Sequence, residues 1–534
     1  MAPITRTCSH LALALIATTL ATPALADGPR DLAAYVRARA ADADGADAAA
    51  AAGYAQALAS QPDSAVIAIR AYRAALEAGD ETLALRAAAV LEKAGVAPAD
   101  TALIALAAAA RRGDRVAAQA ALTRMTAGPL GFLVAPLRAW ITYESDPEGA
   151  SAALMKTPGD GLGRRYALEA AALIDIARGR SEAGLAVLRA QSPGGQGFDL
   201  RLAAARLLVA QGKRTAADEL VGSDVAGAGS DAAPAKLGLS FGLARLMARL
   251  AEDLEAARAG PLGVVVARAA LMVEPGNDPA RLLLAQTLGA QGAFAPALAA
   301  LDRVAGDGPY AAEARARRID LLDDAGRLDE ALAIAMAAAG GAQGDAEDAQ
   351  RLGDLLAKAG REGEAADAYA RAITRAGRAA SWALYLQQGG ALERAGRWRE
   401  AEPLLERAVE LAPDQPIALN YLGYARLEHG GDMRAARAML ERAVALKPDS
   451  PSILDSLAWA YFLGGDAARA LPLMERAAMA SPDNAIINEH LGDVYWSLGR
   501  RFEARYAWQA AAIVAEGRDS TRIAAKLDGG PGAN

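Results

Sequence analysis

Cysteine is almost missing from this 534-residue chain, with Cys8 its only example. Beyond residue 26 there is no thiol, which excludes a disulfide, a thiolate nucleophile and a Cys metal site from the body of the protein. Histidine is nearly as scarce, and only His429 and His490 lie past the first 26 residues. Aromatics make up 5% although hydrophobic residues make up 53%. The surplus is mostly Ala, the best helix former and poor strand material, which argues against an all-β or sheet-rich fold. No apolar run reaches the ~18 residues of a membrane span. A basic surplus is missing too: the net charge is −7, or −8 without Arg6, at 56 basic against 64 acidic residues. That balance leaves no footprint for nucleic acid or anionic lipid. Charged residues stand at 23%, near the globular average, which argues against a disordered chain.

The first 26 residues read as an address. Arg6 gives a small positive start, Leu11 to Leu20 form a short apolar stretch, and Ala24-Leu25-Ala26 is an A-x-A cleavage site. Cleavage would leave Asp27 as the new N-terminus and a protein soluble in the periplasm or outside the cell. Cys8 precedes the apolar stretch, so it cannot be the acylated cysteine of a lipoprotein.

What the chain has in abundance is a repeat. Glycines recur at Gly45, Gly79, Gly113, Gly179 and Gly212, then at Gly292, Gly326, Gly360, Gly396, Gly430, Gly465 and Gly499. The spacings are 34, 34, 66, 33, 80, 34, 34, 36, 34, 35 and 34. The 66 is two units with one Gly missing, and the 80 is two units plus about 12 extra residues. Seven residues before the later glycines stands a small residue: Gly353, Gly389, Gly423, Ala458, Gly492. Ala follows (Ala365, Ala401, Ala436, Ala470, Ala504), then a large apolar side chain such as Tyr369, Leu405, Met474 or Trp508. Pro413, Pro448 and Pro482 come last. Two short antiparallel helices fit this order. Small residues let the backbones approach, the large one fills the gap, Gly turns the chain and Pro ends the second helix.

The pattern resembles the tetratricopeptide repeat, best over residues 486–511: Leu491, Gly492, Tyr495, Gly499, Ala504, Trp508, Ala511. Residues 285–370 carry it in degenerate form (Ala285, Leu288, Gly292, Phe294, Ala297, Leu301, Gly326, Leu328, Ala331). The N-terminal third keeps mainly the spacing, with Gly45, Ala50, Tyr54, Ala57 and Pro62 its best unit. A HEAT-type repeat would have longer units of ~40–47 residues. The resemblance implies an all-α, right-handed superhelical solenoid of helix-turn-helix repeats in two arrays. The segments are 1–26 leader, 27–221 N-terminal degenerate array, 222–240 Gly/Ala/Ser-rich linker, 241–380 degenerate repeats, 381–516 well-formed repeats and 517–534 capping helix and tail. In that tail Arg522 and Lys526 ride on a short polar helix; a second loop is expected at Thr157–Gly161.

Three runs, Ala418–Tyr424, Asp455–Tyr461 and Asn488–Trp496, look like a block shared by envelope tetratricopeptide proteins of proteobacteria. Members are exported scaffolds, often lipoproteins, and some are similar to adaptors that present substrates to periplasmic carboxyl-terminal processing proteases. This chain departs from the lipoproteins in lacking a lipobox. The resemblance implies a non-enzymatic periplasmic scaffold whose partners are proteins or peptides, or else a component of an envelope export or assembly machine for polysaccharide, pili or outer-membrane proteins.

Catalytic patterns are few. Gly238-Leu239-Ser240-Phe241-Gly242 fits the G-x-S-x-G elbow of α/β-hydrolases, but no strand-like run precedes it, and a Gly-rich helix start is the better reading. His490 and Asp493 are three residues apart, yet His429 is 61 residues away, so no zinc site forms on paper and no cofactor is implied. The pairs Glu252-Asp253 and Asp323-Asp324 read as solvated faces.

A partner groove is the remaining candidate. By resemblance, the first helix of each repeat lines the concave face. Counting its small residue as position eight, positions five, nine and twelve form one stripe. They are Asn420, Tyr424, Leu427; Asp455, Trp459, Phe462; and Glu489, Asp493, Trp496. Aromatics beside acids suit a peptide surface, and the acids have no evident reason to be buried. Family grooves that clamp a C-terminal carboxylate carry Lys and Asn at positions five and nine. Position five here reads Asn, Asp, Glu, so that mode is not expected.

Overall fold

The computed structural model describes residues 28–159, 161–191, 197–222, 237–256, 260–341 and 344–531. The leader at 1–26, Asp160 of the second loop, and 223–236 of the linker lie outside the described residues. Among the described residues there are 29 α-helices, two single 3-10 turns and no strand. None of these helices is long and apolar enough to cross a membrane.

All twelve glycines of the spacing series have φ between +67° and +85°, the left-handed region. Gly465, at +81°, shows the use: it turns the chain between helices Pro451–Leu463 and Ala467–Ala480, where a Cβ would be strained. The glycine missing from the 66-residue gap is replaced by other chemistry. Between Val134–Tyr143 and Pro147–Met155 the Asp146 carboxylate accepts from the Gly149 backbone N–H, and Pro147 opens the next helix. Pro413, Pro448 and Pro482 each lie two residues past the last residue of a second helix, at Leu411, Leu446 and Ala480.

The small-to-large pairing within each repeat is real contact. A Cβ on Gly353 would sit 2.5 Å from the Tyr369 ring, on Gly389 2.7 Å from Leu405, and on Gly423 3.0 Å from Leu440. Gly492 lies against the indole of Trp508 in the same way. Each glycine therefore sets how near the second helix can come.

The chain forms two compact units, Met1–Leu321 and Leu322–Asn534. The division does not fall at 222–240. Helix Leu239–Ala256 packs on Val134–Tyr143, Thr101–Arg112 and Phe198–Ala210, and helix Gly260–Val273 packs on Thr101–Arg112 and Ala65–Ala78. The cause is apolar coverage: Val264, Val265, Val266, Ala267, Ala269 and Ala270 are all buried, which a single stacking neighbour on each side would not achieve. The second unit contains five helix pairs from Ala346–Lys358 to Arg501–Val514, followed by Gly517–Gly529.

The first unit also corrects the reading of Glu252 and Asp253. They do not form a solvated face. Arg249, with 4% of its side chain exposed, meets Glu169 at 3.3 Å, Glu252 at 3.1 Å and Asp253 at 3.0 Å. Asp253 also takes the Tyr166 hydroxyl and Arg165. Nearby, Arg245 meets Asp199 at 2.9 Å and pairs with Glu274. Asp323 and Asp324 do lie on a solvated face, where Asp323 pairs with the exposed Lys358 at 2.6 Å.

Candidate functional site: the first-helix stripe of the C-terminal repeats

Helices Pro416–Glu428, Pro451–Leu463 and Ala485–Ser497 carry the nine stripe residues. Proline at the first turn of the first two, and Asn484 capping the third by accepting from the Ile487 N–H, fix where each starts, so the stripe stays in register.

The structure divides the stripe in two. Trp459 is half-buried and held flat: it stacks on His490 with centroids 3.8 Å apart and on Phe462 at 5.0 Å, and its Nε1 donates to Glu428 at 3.2 Å. Asn420, Tyr424, Leu427 and Phe462 are half-buried as well. The Asn420 Oδ1 is buried and has no hydrogen-bond partner among the described residues. Burial, with Glu428 and Asp455 nearby, pushes the Tyr424 hydroxyl well above its usual range, so it stays a neutral donor.

The acids behave otherwise than the sequence suggests. Asp455 is 6% exposed, Glu489 2% and Asp493 6%. Asp455 accepts from His490 Nδ1 at 2.9 Å. Glu489 takes Arg522 through two nitrogens, at 2.8 and 2.6 Å, and Lys526 at 2.7 Å. Asp493 takes Lys526 at 2.5 Å and the Trp508 indole N–H at 3.1 Å. The helix Gly517–Gly529 thus seals the last repeat with two cations, and Glu489 and Asp493 are closing residues of the array. Trp496 is half-buried like Trp459 but packs into this closure: Arg501 lies 3.6 Å over its ring, Trp508 5.2 Å away, and Gly530 against its edge.

Sequence reasoning missed His490 and Glu428 as ring and acceptor for Trp459. His429 makes a similar contact elsewhere in the array, stacking on Trp398 at 4.4 Å and meeting Glu393 at 3.1 Å. Ser240 lies in the first turn of helix Leu239–Ala256 and its hydroxyl donates to the Ala110 carbonyl at 3.1 Å.

Residues 386–451 and 456–521 match the family model described as tetratricopeptide repeat. These residues are tetratricopeptide repeats. Such repeats serve as protein-interaction scaffolds, and binding of proteins or peptides is the activity the fold carries. No curated protein sequence matches the chain. Among solved structures, a tetratricopeptide repeat protein from Parabacteroides merdae is 15% identical, over 47% of this chain and 97% of its own, with TM-score 0.39. A thermophilic repeat protein from Thermus thermophilus is 20% identical over 34% and 98%, TM-score 0.31. MamA from Desulfovibrio magneticus is 18% identical over 32% and 94%, TM-score 0.28.

The seal on the last tetratricopeptide repeat should be acid-labile. Burial works against the Glu489 carboxylate, but the hydrogen bonds from Arg522 and Lys526 win and hold it below the usual range. A depressed carboxyl stabilises the fold above its unfolded pKa near 4.3, and that contribution is lost as pH falls through the folded value. Melting of the parent should therefore drop below about pH 4.5. Glu489→Gln should melt lower at neutral pH and lose less on acidification; parallel pH curves would refute the assignment.

Proposed function

We propose that the protein is a non-enzymatic scaffold or adaptor of the cell envelope, exported to the periplasm through residues 1–26, and that it grips a peptide along the first-helix stripe. The leader pattern of Arg6, the short apolar stretch and Ala24-Leu25-Ala26 supports the location. The stripe is supported above all by one observation: Trp459 is fixed by stacking on His490 and on Phe462 yet stays only half-buried. A pre-positioned aromatic ring with part of its surface open is what a binding hot spot offers, because little side-chain entropy remains to be lost.

Proteins captured by the full chain from an envelope fraction identify the partner: a protease favours the adaptor, an export complex favours the assembly machine. With that partner, Trp459→Ala should weaken binding about 30-fold or more, the cost of a ~2–4 kcal/mol anchor. Glu489→Gln should change affinity far less, because its carboxylate faces the capping helix. Unchanged affinity for Trp459→Ala would move the binding surface elsewhere.

A further inference from the structure

The first unit contains a cavity of about 560 Å³, within the ~300–1,000 Å³ typical of small-molecule sites. It lies among helices Ala65–Ala78, Thr101–Arg112, Gly260–Val273 and Asp278–Ala290 and exists because the chain folds back on its own N-terminal repeats. Ile104, Leu271, Leu284 and Pro296 give it apolar walls. Its floor is a cation. Arg268 spends two nitrogens on the carbonyls of Leu76 and Glu77, both at 2.6 Å, and lies directly under Gly79, where a Cβ would come within 2.8 Å of Nη1. Gly79 thus leaves room for the guanidinium as well as turning the chain.

The charges around the cavity do not balance. Of the carboxylates that line it, Glu81 is engaged by Arg111 at 2.6 Å and Asp80 accepts from the Leu83 N–H at 2.9 Å; of the cations, Arg281 is held by Asp278 at 2.7 Å. Arg303 lines the mouth, exposed, with no ion-pair partner among the described residues, and neither has Arg268. The two guanidiniums oppose each other: burial first, then Arg303, pulls Arg268 down to about 10. Glu77, the carboxyl beside them, is pushed up to about 7 by burial and by Asp47 and Asp42, so it is a weak counter-ion at neutral pH. Two like charges over a cavity with apolar walls are relieved by an anion with an apolar body.

We propose that this cavity binds a small amphipathic anion, its head between Arg268 and Arg303 and its apolar body along Ile104, Leu271, Leu284 and Pro296. Carboxylate and phosphate heads share the chemistry, and two probes separate them. Calorimetric titration of the full chain with dodecanoate and with dodecyl phosphate, below their micellar concentrations, should show saturable one-to-one binding. The tighter of the two names the head group, and dodecyltrimethylammonium should not bind. Arg303→Glu should weaken the anions at least tenfold. Ala299→Trp, placed at the exposed mouth to fill the space, should do the same. Both positions are exposed, so both variants should melt like the parent. The assignment is overturned if no anion binds stoichiometrically, if the cationic probe binds equally, or if Arg303→Glu leaves affinity unchanged.

Discussion

Arg249→Met should cost the first unit about 3–5 kcal/mol, the loss expected when one member of a buried ionic cluster is removed and its partners stay behind. Arg249 lies on helix Leu239–Ala256 and is the one residue that touches Glu169, Glu252 and Asp253 together. Burial raises the Glu169 carboxyl, and Arg249 is the first of the groups restraining it. Without the guanidinium, Glu169 keeps only Arg165, 3.9 Å away, and must take a proton or stay charged, buried and poorly paired. A carboxyl with a raised folded pKa loses stability as pH rises, so the deficit should be largest above neutrality and shrink as the solution is acidified. Urea denaturation of both proteins at pH 5 and pH 8 measures this. Arg249→Met combined with Glu169→Leu should recover much of the loss, since an apolar replacement of a whole buried pair is often near neutral. A single variant within 1 kcal/mol of the parent would show that packing alone holds helix Leu239–Ala256 in place.

Trp508→Ala is expected to remove a further ~3–5 kcal/mol, from the second unit. The indole is completely buried, rests on the bare backbone of Gly492 and donates to both Asp493 and the Glu489 carbonyl. Its loss opens a cavity and also strips a donor from a buried carboxylate whose remaining partner is Lys526. Gly492→Ala tests the same contact from the other side. A methyl against a rigid ring has nowhere to go, and ~1–3 kcal/mol of overpacking should follow. Thermal unfolding followed through the second unit distinguishes these from Trp459→Ala, whose half-exposed ring should cost less stability and more binding. Equal melting of Trp508→Ala and the parent would remove Trp508 from the core.

Much of the fold was legible because it rests on short-range chemistry repeated many times. Each turn glycine answers a local demand for positive φ, and each Gly353–Tyr369 or Gly389–Leu405 pair is settled within one repeat, so spacing alone finds them. The return of Gly260–Val273 onto Thr101–Arg112 was not legible, since a long-range contact between apolar faces leaves no period. The acids were misread for a subtler reason. Arg522 and Lys526 follow Glu489 and Asp493 by 33 residues each, close to one repeat, so the capping helix holds bases at positions five and nine of a first helix. Reading the tail as an incomplete repeat would have exposed that match. Nothing comparable marks Trp459 and His490, because ring stacking requires geometry that residue type does not encode.

That terminal charge lock bears on how such a chain can change length over generations. Contacts in an array of this kind run chiefly between neighbours, and the lock engages only the last pair of helices through Glu489 and Asp493. A duplicated or deleted unit between Gly430 and Gly465 would leave it whole, whereas an addition after Gly517 would have to displace Arg522 and Lys526 first. An insertion between inner repeats therefore leaves these ion pairs intact, whereas one placed directly after Val514 separates the partners.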